Sequence, residues 1–124
     1  MTNASEQRVT PSNRSVLIVD DETDLAESLR ELLEDEGYQV KVAADGREAM
    51  GELSLWRPCV IILDLIMPVM SGNELYAAMQ ADPNLADIPV IVSTSDPSRS
   101  PSGVPIVKKP VNIARLIEMV ARFC

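Results

Sequence analysis

The run Cys59-Val60-Ile61-Ile62-Leu63-Asp64-Leu65-Ile66-Met67-Pro68-Val69-Met70-Ser71-Gly72 decides how this chain reads. Its first five residues are apolar without alternation, the pattern of a strand whose sheet is covered on both faces. Asp64 stands where that apolar run ends, and Pro68 and Gly72 mark a turn before the next helical pattern. Taken alone, Asp64 reads equally well as a strand-end or capping residue and as a carboxylate delivered to the sheet edge for chemistry. The rest of the chain has to decide.

Upstream, Val16 to Val19 repeats the same grammar, an apolar body ending in Asp20-Asp21-Glu22. Thr23 or Asp24 can cap a helix with Leu25, Leu29, Leu32 and Leu33 on one face, and Gly37 stops it. Tyr38 to Ala43 reads as a strand. Asp45 caps a helix through Ala49, Met50 and Leu53 that ends before Pro58. Downstream, Ser71 caps a helix containing Leu75, Tyr76, Ala78 and Met79, which breaks at Asp82-Pro83. Val90 to Ser93 is a fourth strand and Val104 to Lys108 a fifth. A last helix runs from Asn112 to Phe123 with Ile113, Leu116, Ile117 and Val120 as its buried stripe. Strands alternating with helices of about ten residues imply right-handed βαβ units and a mostly parallel sheet covered on both faces. The exception is the stretch from Ser95 to Gly103, where Pro97 and Pro101 exclude a regular helix. A loop or a single turn is expected there. Residues 1–14 are expected to be a flexible tail and residues 15–124 one domain.

Composition narrows the classes. The chain has 124 residues, 46% of them hydrophobic, and a formal net charge of −8. That acidity argues against direct nucleic-acid binding, which needs a basic surface. No apolar run reaches the ~20 residues that cross a bilayer, and the polar start lacks a signal-peptide core, so a cytoplasmic location without membrane contact is expected. Cys59 opens a buried strand and Cys124 is the last residue, so no structural disulfide is expected between them. There is no histidine. Imidazole catalysis is therefore excluded, and a closed zinc site is not expected.

In an open parallel sheet, ligands sit beyond the carboxyl ends of the strands, where strand order reverses. There the sequence places Asp20 and Asp21 after the first strand, Asp64 after the third, Thr94 after the fourth and Lys109 after the fifth. Three clustered carboxylates resist joint ionisation, and a hard divalent cation such as Mg²⁺ is their natural neutraliser. Thr94 and Lys109 would be left to hold an anion. Each residue also has a plainer reading: a dipole-favoured acidic helix start, a strand threonine bonded to backbone, a solvated lysine. Lys108 fits the last of these. Met67 and Met70 read as packing residues, and Trp56 as a half-buried cap on the core.

The ordered set Asp20-Asp21, Asp64, the loop Met67 to Gly72, Thr94 and Lys109-Pro110 resembles the receiver domain of two-component response regulators, over essentially all of Ser15 to Cys124. The resemblance implies a flavodoxin-like α/β three-layer sandwich whose five-stranded parallel sheet has the order 2-1-3-4-5, here as a variant with a shortened or absent fourth helix. It implies that Asp64 accepts a phosphoryl group from a histidine kinase or a histidine phosphotransfer protein. Asp20, Asp21, Asp64 and the backbone carbonyl of Ile66 would hold Mg²⁺, with Mn²⁺ as a substitute, while Lys109 and Thr94 bind phosphoryl oxygens and a cis peptide precedes Pro110. A downstream protein partner would read the switch. The domain would catalyse its own phosphorylation rather than turn over a conventional substrate.

The chain departs from that family pattern in three places. The segment between Thr94 and Lys109 is short. Ile106 stands where such domains carry a Tyr or Phe that turns inward when the threonine engages phosphate. Ile66 and Asp96 occupy the two positions that tune dephosphorylation, and an apolar Ile66 cannot orient a water, so slow hydrolysis is expected. Asp96 reads either as a loop residue or as a neighbour of the phosphoryl site. With no output module after the last helix, the chain either binds partners directly or is one domain of a longer protein. The competing reading is a constitutive interaction module that is never phosphorylated. A metal-dependent hydrolase would need a second acid or base near Asp64, and a flavin site would need a less acidic first loop.

Overall fold

The computed structural model describes residues 14–124. Five strands and four helices follow one another as β1 (Ser15–Val19), α1 (Thr23–Asp35), β2 (Gln39–Ala43), α2 (Gly46–Leu53), β3 (Val60–Leu63), α3 (Gly72–Gln80), β4 (Val90–Thr94), β5 (Ile106–Lys108) and α4 (Ile113–Phe123). The sheet is parallel throughout, in the order β2-β1-β3-β4-β5. This is the α/β flavodoxin-like sandwich anticipated from the sequence. The expected tail lies outside the described residues except for Arg14, whose guanidinium donates to the carbonyls of Glu36 and Gly37 and lies over the Tyr38 ring.

All four β3 residues are buried, as the unbroken apolar run requires. Alternate residues feed two core layers. Ile62 packs with Leu29 and Leu33 of α1 and Leu116 and Val120 of α4. Ile61 and Leu63 pack with Leu53 of α2 and Leu75 and Met79 of α3. Fully burying each such aliphatic side chain contributes about 1.5–3 kcal/mol, so the sandwich is held chiefly by these two layers. Asp45 caps α2 by accepting from Glu48 N, and Ser71 with Glu74 forms a complete capping box on α3. At α1 the cap position falls on Glu22, and neither Thr23 nor Asp24 caps. The Glu22 carboxylate is turned toward Lys109 instead.

Between β4 and β5 the chain makes a single 3₁₀ turn, Pro97–Arg99, and no α-helix, as the shortened-helix variant requires. Asp96 caps it, and the Asn73 amide donates to the Arg99 carbonyl at 3.3 Å. The fifth strand begins at Ile106, two residues later than expected. Pro105 has no N–H for a ladder, although its carbonyl still accepts from Val92 N.

One expectation is corrected outright. Cys59 and Cys124 are joined by a disulfide, their Cα atoms 5.4 Å apart across a sequence separation of 65. The crossover after β5 sends α4 back along the sheet, so its last residue returns to the foot of β3. Both cysteines pack on the α1/α4 core layer.

Candidate functional site

The ladder aligns three strand tips. Asp64 N donates to the Val19 carbonyl, Asp20 N to the Ala43 carbonyl and Lys109 N to the Thr94 carbonyl, at 2.8–3.0 Å. Val19 and Leu63 are register partners, so the residues that follow them, Asp20 and Asp64, emerge side by side where strand order reverses. Both are buried, Asp20 at 3% exposure and Asp64 at 6%, whereas Asp21 is exposed. Asp20, Asp21 and Asp64 each offer a carboxylate oxygen within 4.8 Å of the others.

Lys109 reaches into this cluster from beyond β5. Its Nζ lies 3.0 Å from Asp20 Oδ2, 2.6 Å from Glu22 Oε1 and 3.7 Å from Asp64 Oδ2. The Lys109–Pro110 peptide is cis. Asp20 Oδ1 accepts from Glu22 N, and Asp64 Oδ1 accepts a longer bond from Ile66 N. Burial pushes the Asp64 carboxyl up to about 6, reinforced by the charge of Asp20; Lys109 and the Ile66 N–H oppose the shift, and Asp21 adds to it. For Lys109, burial disfavours the ammonium, but bonds to the Glu22 and Asp20 carboxylates outweigh it and raise the pKa. Three converging carboxylate oxygens, one with its charge resisted by burial and by its neighbours, suit a hard divalent cation. The donor set therefore fits Mg²⁺.

The loop after Asp64 is clamped by close backbone approach. A Cβ on Gly72 would sit 2.2 Å from the Asp64 carbonyl oxygen and 2.7 Å from Leu65 Cα. Gly72 N donates to the Leu65 carbonyl. Within the loop Val69 has φ 67, the left-handed region that a β-branched residue rarely adopts, and Met70 N closes back on the Pro68 carbonyl. The side chains of Ile66 and Val69 stand largely in solvent.

Thr94 is buried at the tip of β4, and its Oγ1 accepts from Asp96 N at 3.1 Å. Asp96 is turned to its own loop: its carboxylate accepts from Ser98, which with Arg99 holds its pKa down. The hydrogen bonds and ion pair of that carboxylate stay within the turn. Glu22 is the residue that sequence reasoning passed over. Its signal was its place as the third acid after β1, and what decides its role is the bond to Lys109.

A family model for the response regulator receiver domain matches residues 16–121. The signal receiver domain of a signal transduction histidine kinase from Syntrophus aciditrophicus is 39% identical, with a TM-score of 0.82 over 90% of this chain and 89% of that one. The chemotaxis response regulator CheY4 of Vibrio cholerae is 32% identical, with a TM-score of 0.82 over 91% and 100%. Response regulator MprA of Mycolicibacterium vanbaalenii is 38% identical over 85 residues, which are 68% of this chain and 36% of that protein. This chain thus spans about a third of that curated relative.

Proposed function

The chain belongs to the response regulator receiver domain family, and from that premise we propose that it is a phosphoacceptor switch charged on Asp64. The observation that carries this reading is the meeting of the Asp20, Asp21 and Asp64 carboxylates with the Lys109 ammonium on one rim. With its pKa pushed up to about 6, the Asp64 carboxylate is still mostly ionised at pH 7. It is a ready nucleophile. One of its oxygens attacks the phosphorus carried on a partner's phosphohistidine. The new O–P bond forms as the P–N bond breaks, and the imidazole leaves with the electron pair.

Asp20, Asp21, Asp64 and the Ile66 carbonyl would hold Mg²⁺, or Mn²⁺ in its place. When bound, the ion neutralises charge on the transferring phosphoryl oxygens. Lys109 exchanges its contacts with Asp20 and Glu22 for a phosphoryl oxygen. Thr94 Oγ1 donates to another and gives up the Asp96 N–H. Such positioned charges supply most of the catalysis that phosphoryl transfer needs. Leu25, Pro110, Val111 and Ile113 line an open cleft beside Lys109 and Glu22, where the kinase or phosphotransfer protein would approach. The signal then passes to a downstream protein through the segment that Thr94 releases. Ile66 offers no group to orient an attacking water, so the acyl phosphate is long-lived; a half-life of seconds without a partner would contradict this.

Ile106, half-buried on β5, favours a second reading, a constitutive interaction module, because it cannot make the inward turn of an aromatic ring. Intact mass after incubation with Mg²⁺ and a small phosphodonor separates the two. Gain of one phosphoryl group by wild type and none by Asp64→Asn is the expected result. No gain by either protein, with no Mg²⁺ binding, selects the constitutive module.

A further inference from the structure

The structure points to a second chemical site, at the opposite end of the sheet from Asp64. We propose that Cys59 and Cys124 are a reversible thiol–disulfide modification site, a catch that fastens the end of α4 to the foot of β3. This inference does not rest on Asp64 accepting a phosphoryl group.

Three observations carry it. First, α4 has apolar anchors besides the bridge: Leu116, Met119 and Val120 are buried in the α1/α4 core layer, in a domain large enough to fold on its core alone. Opening the bond therefore releases the helix end without unfolding the domain. Second, both cysteines are half-buried rather than enclosed, which leaves the pair at the edge of the core layer it packs on rather than inside it. Third, these are the two cysteines of the 124 residues, so the pair has no alternative pairing within them.

The bond also closes a circuit through the acidic site. Cys59 lies one residue before β3, which ends next to Asp64, and α4 begins four residues after Lys109. The Lys109–Asp64 ion pair joins the near ends of these two elements and the disulfide joins their far ends. Opening the catch leaves the near end of α4 in place and frees its last turn, changing the surface that α4 presents to a partner.

The chemistry is exchange with a low-molecular-weight disulfide such as glutathione disulfide. One cysteine thiolate attacks a sulfur of that disulfide and expels one glutathione thiolate. The second cysteine thiolate then attacks the protein cysteine's sulfur in the mixed disulfide, so that the Cys59–Cys124 bond forms as the bond to glutathione breaks and the other glutathione thiolate leaves. The protein loses two protons and two electrons, and one glutathione disulfide becomes two thiols. Excess glutathione runs the steps backward.

The test uses the full chain without denaturant in buffers of defined glutathione to glutathione disulfide ratio, followed by alkylation and intact mass. The expected result is two alkyl groups in reducing buffer, none in oxidising buffer, and the same curve from either direction. Hydrogen exchange should show amides of residues 120–124 exchanging about tenfold faster once the bond is open, with those of 60–63 unchanged. A bond that stays closed in excess glutathione, thiols that never pair in excess glutathione disulfide, or equal exchange in both states would each overturn the proposal. Cys124→Ser should be folded by circular dichroism and exchange like the open form in every buffer; an unfolded variant would make the bond a structural requirement and overturn the catch. Phosphoryl gain on Asp64 is read separately and decides none of these outcomes.

Discussion

The acidic rim at the tips of β1 and β3 and the segment after β4 are neighbours, yet they are held in different ways. The rim is fixed from below. Its carboxylates continue strands that are buried on both faces and laddered to each other, and Gly72 locks the loop above them. The segment after β4 has one 3₁₀ turn, local bonds from Asp96 and one amide contact from Asn73. Chemistry placed on the first region tolerates little displacement. The second can change shape at small cost, and its shortness is one of the places where this chain departs from the usual receiver pattern. Under the proposed function the difference divides labour, with phosphoryl chemistry on the fixed rim beside an adaptable readout.

Mutations can break or sharpen that contrast. The largest effect is expected on the rim, where Lys109→Ala should slow phosphorylation by a small phosphodonor about 10²–10³-fold by removing a charge aimed at the phosphoryl oxygens; time-resolved intact mass checks it. Gly72→Ala should cost about 3 kcal/mol in urea unfolding, because the added Cβ meets backbone atoms that cannot move aside. Loss of under 1 kcal/mol would mean the clamp is looser than described.

A smaller effect concerns charge. The Asp64 pKa is raised in the folded protein, so between about pH 4 and 6 the folded state holds a proton that the unfolded state has released. Stability from this group is present at the lower end of that window and is lost as pH rises through about 6. Without divalent metal, wild type should therefore become more stable on going from pH 7 to 5, and Asp64→Asn should gain about 1–2 kcal/mol at pH 7 and lose most of that pH response. Thermal melts at the two pH values decide. The smallest effect belongs to the adaptable segment: Asn73→Ala, which removes the tie to Arg99, should change stability by less than about 0.5 kcal/mol. A cost above 2 kcal/mol would erase the contrast.

Much of this molecule was readable in advance because parallel strands buried on both faces leave an unmistakable trace, as in Val60 to Leu63, and because each such trace ended in a polar residue. The places of Asp20, Asp64, Thr94 and Lys109 at the strand ends followed from that. The prolines at 97 and 101 likewise foretold the missing helix. Glu22 was harder, since the third acid in a row looks like a solvated helix start until Lys109 is placed beside it. Val69 gave no warning, because its positive φ is imposed by the loop around it and a β-branched side chain argues the other way. The Cys59–Cys124 bond was missed for a different reason. The pairing depends on where α4 ends in space, and nothing local to either cysteine reports that path.

The central claim is tested most directly by reducing the phosphorylated protein with borohydride and mapping its peptides. An acyl phosphate on a carboxylate becomes an alcohol under this treatment, turning aspartate into homoserine. The account predicts homoserine at position 64, with Asp20 and Asp21 unchanged. Homoserine at position 20 or 21, or a phosphorylated protein with Asp64 intact, would contradict it.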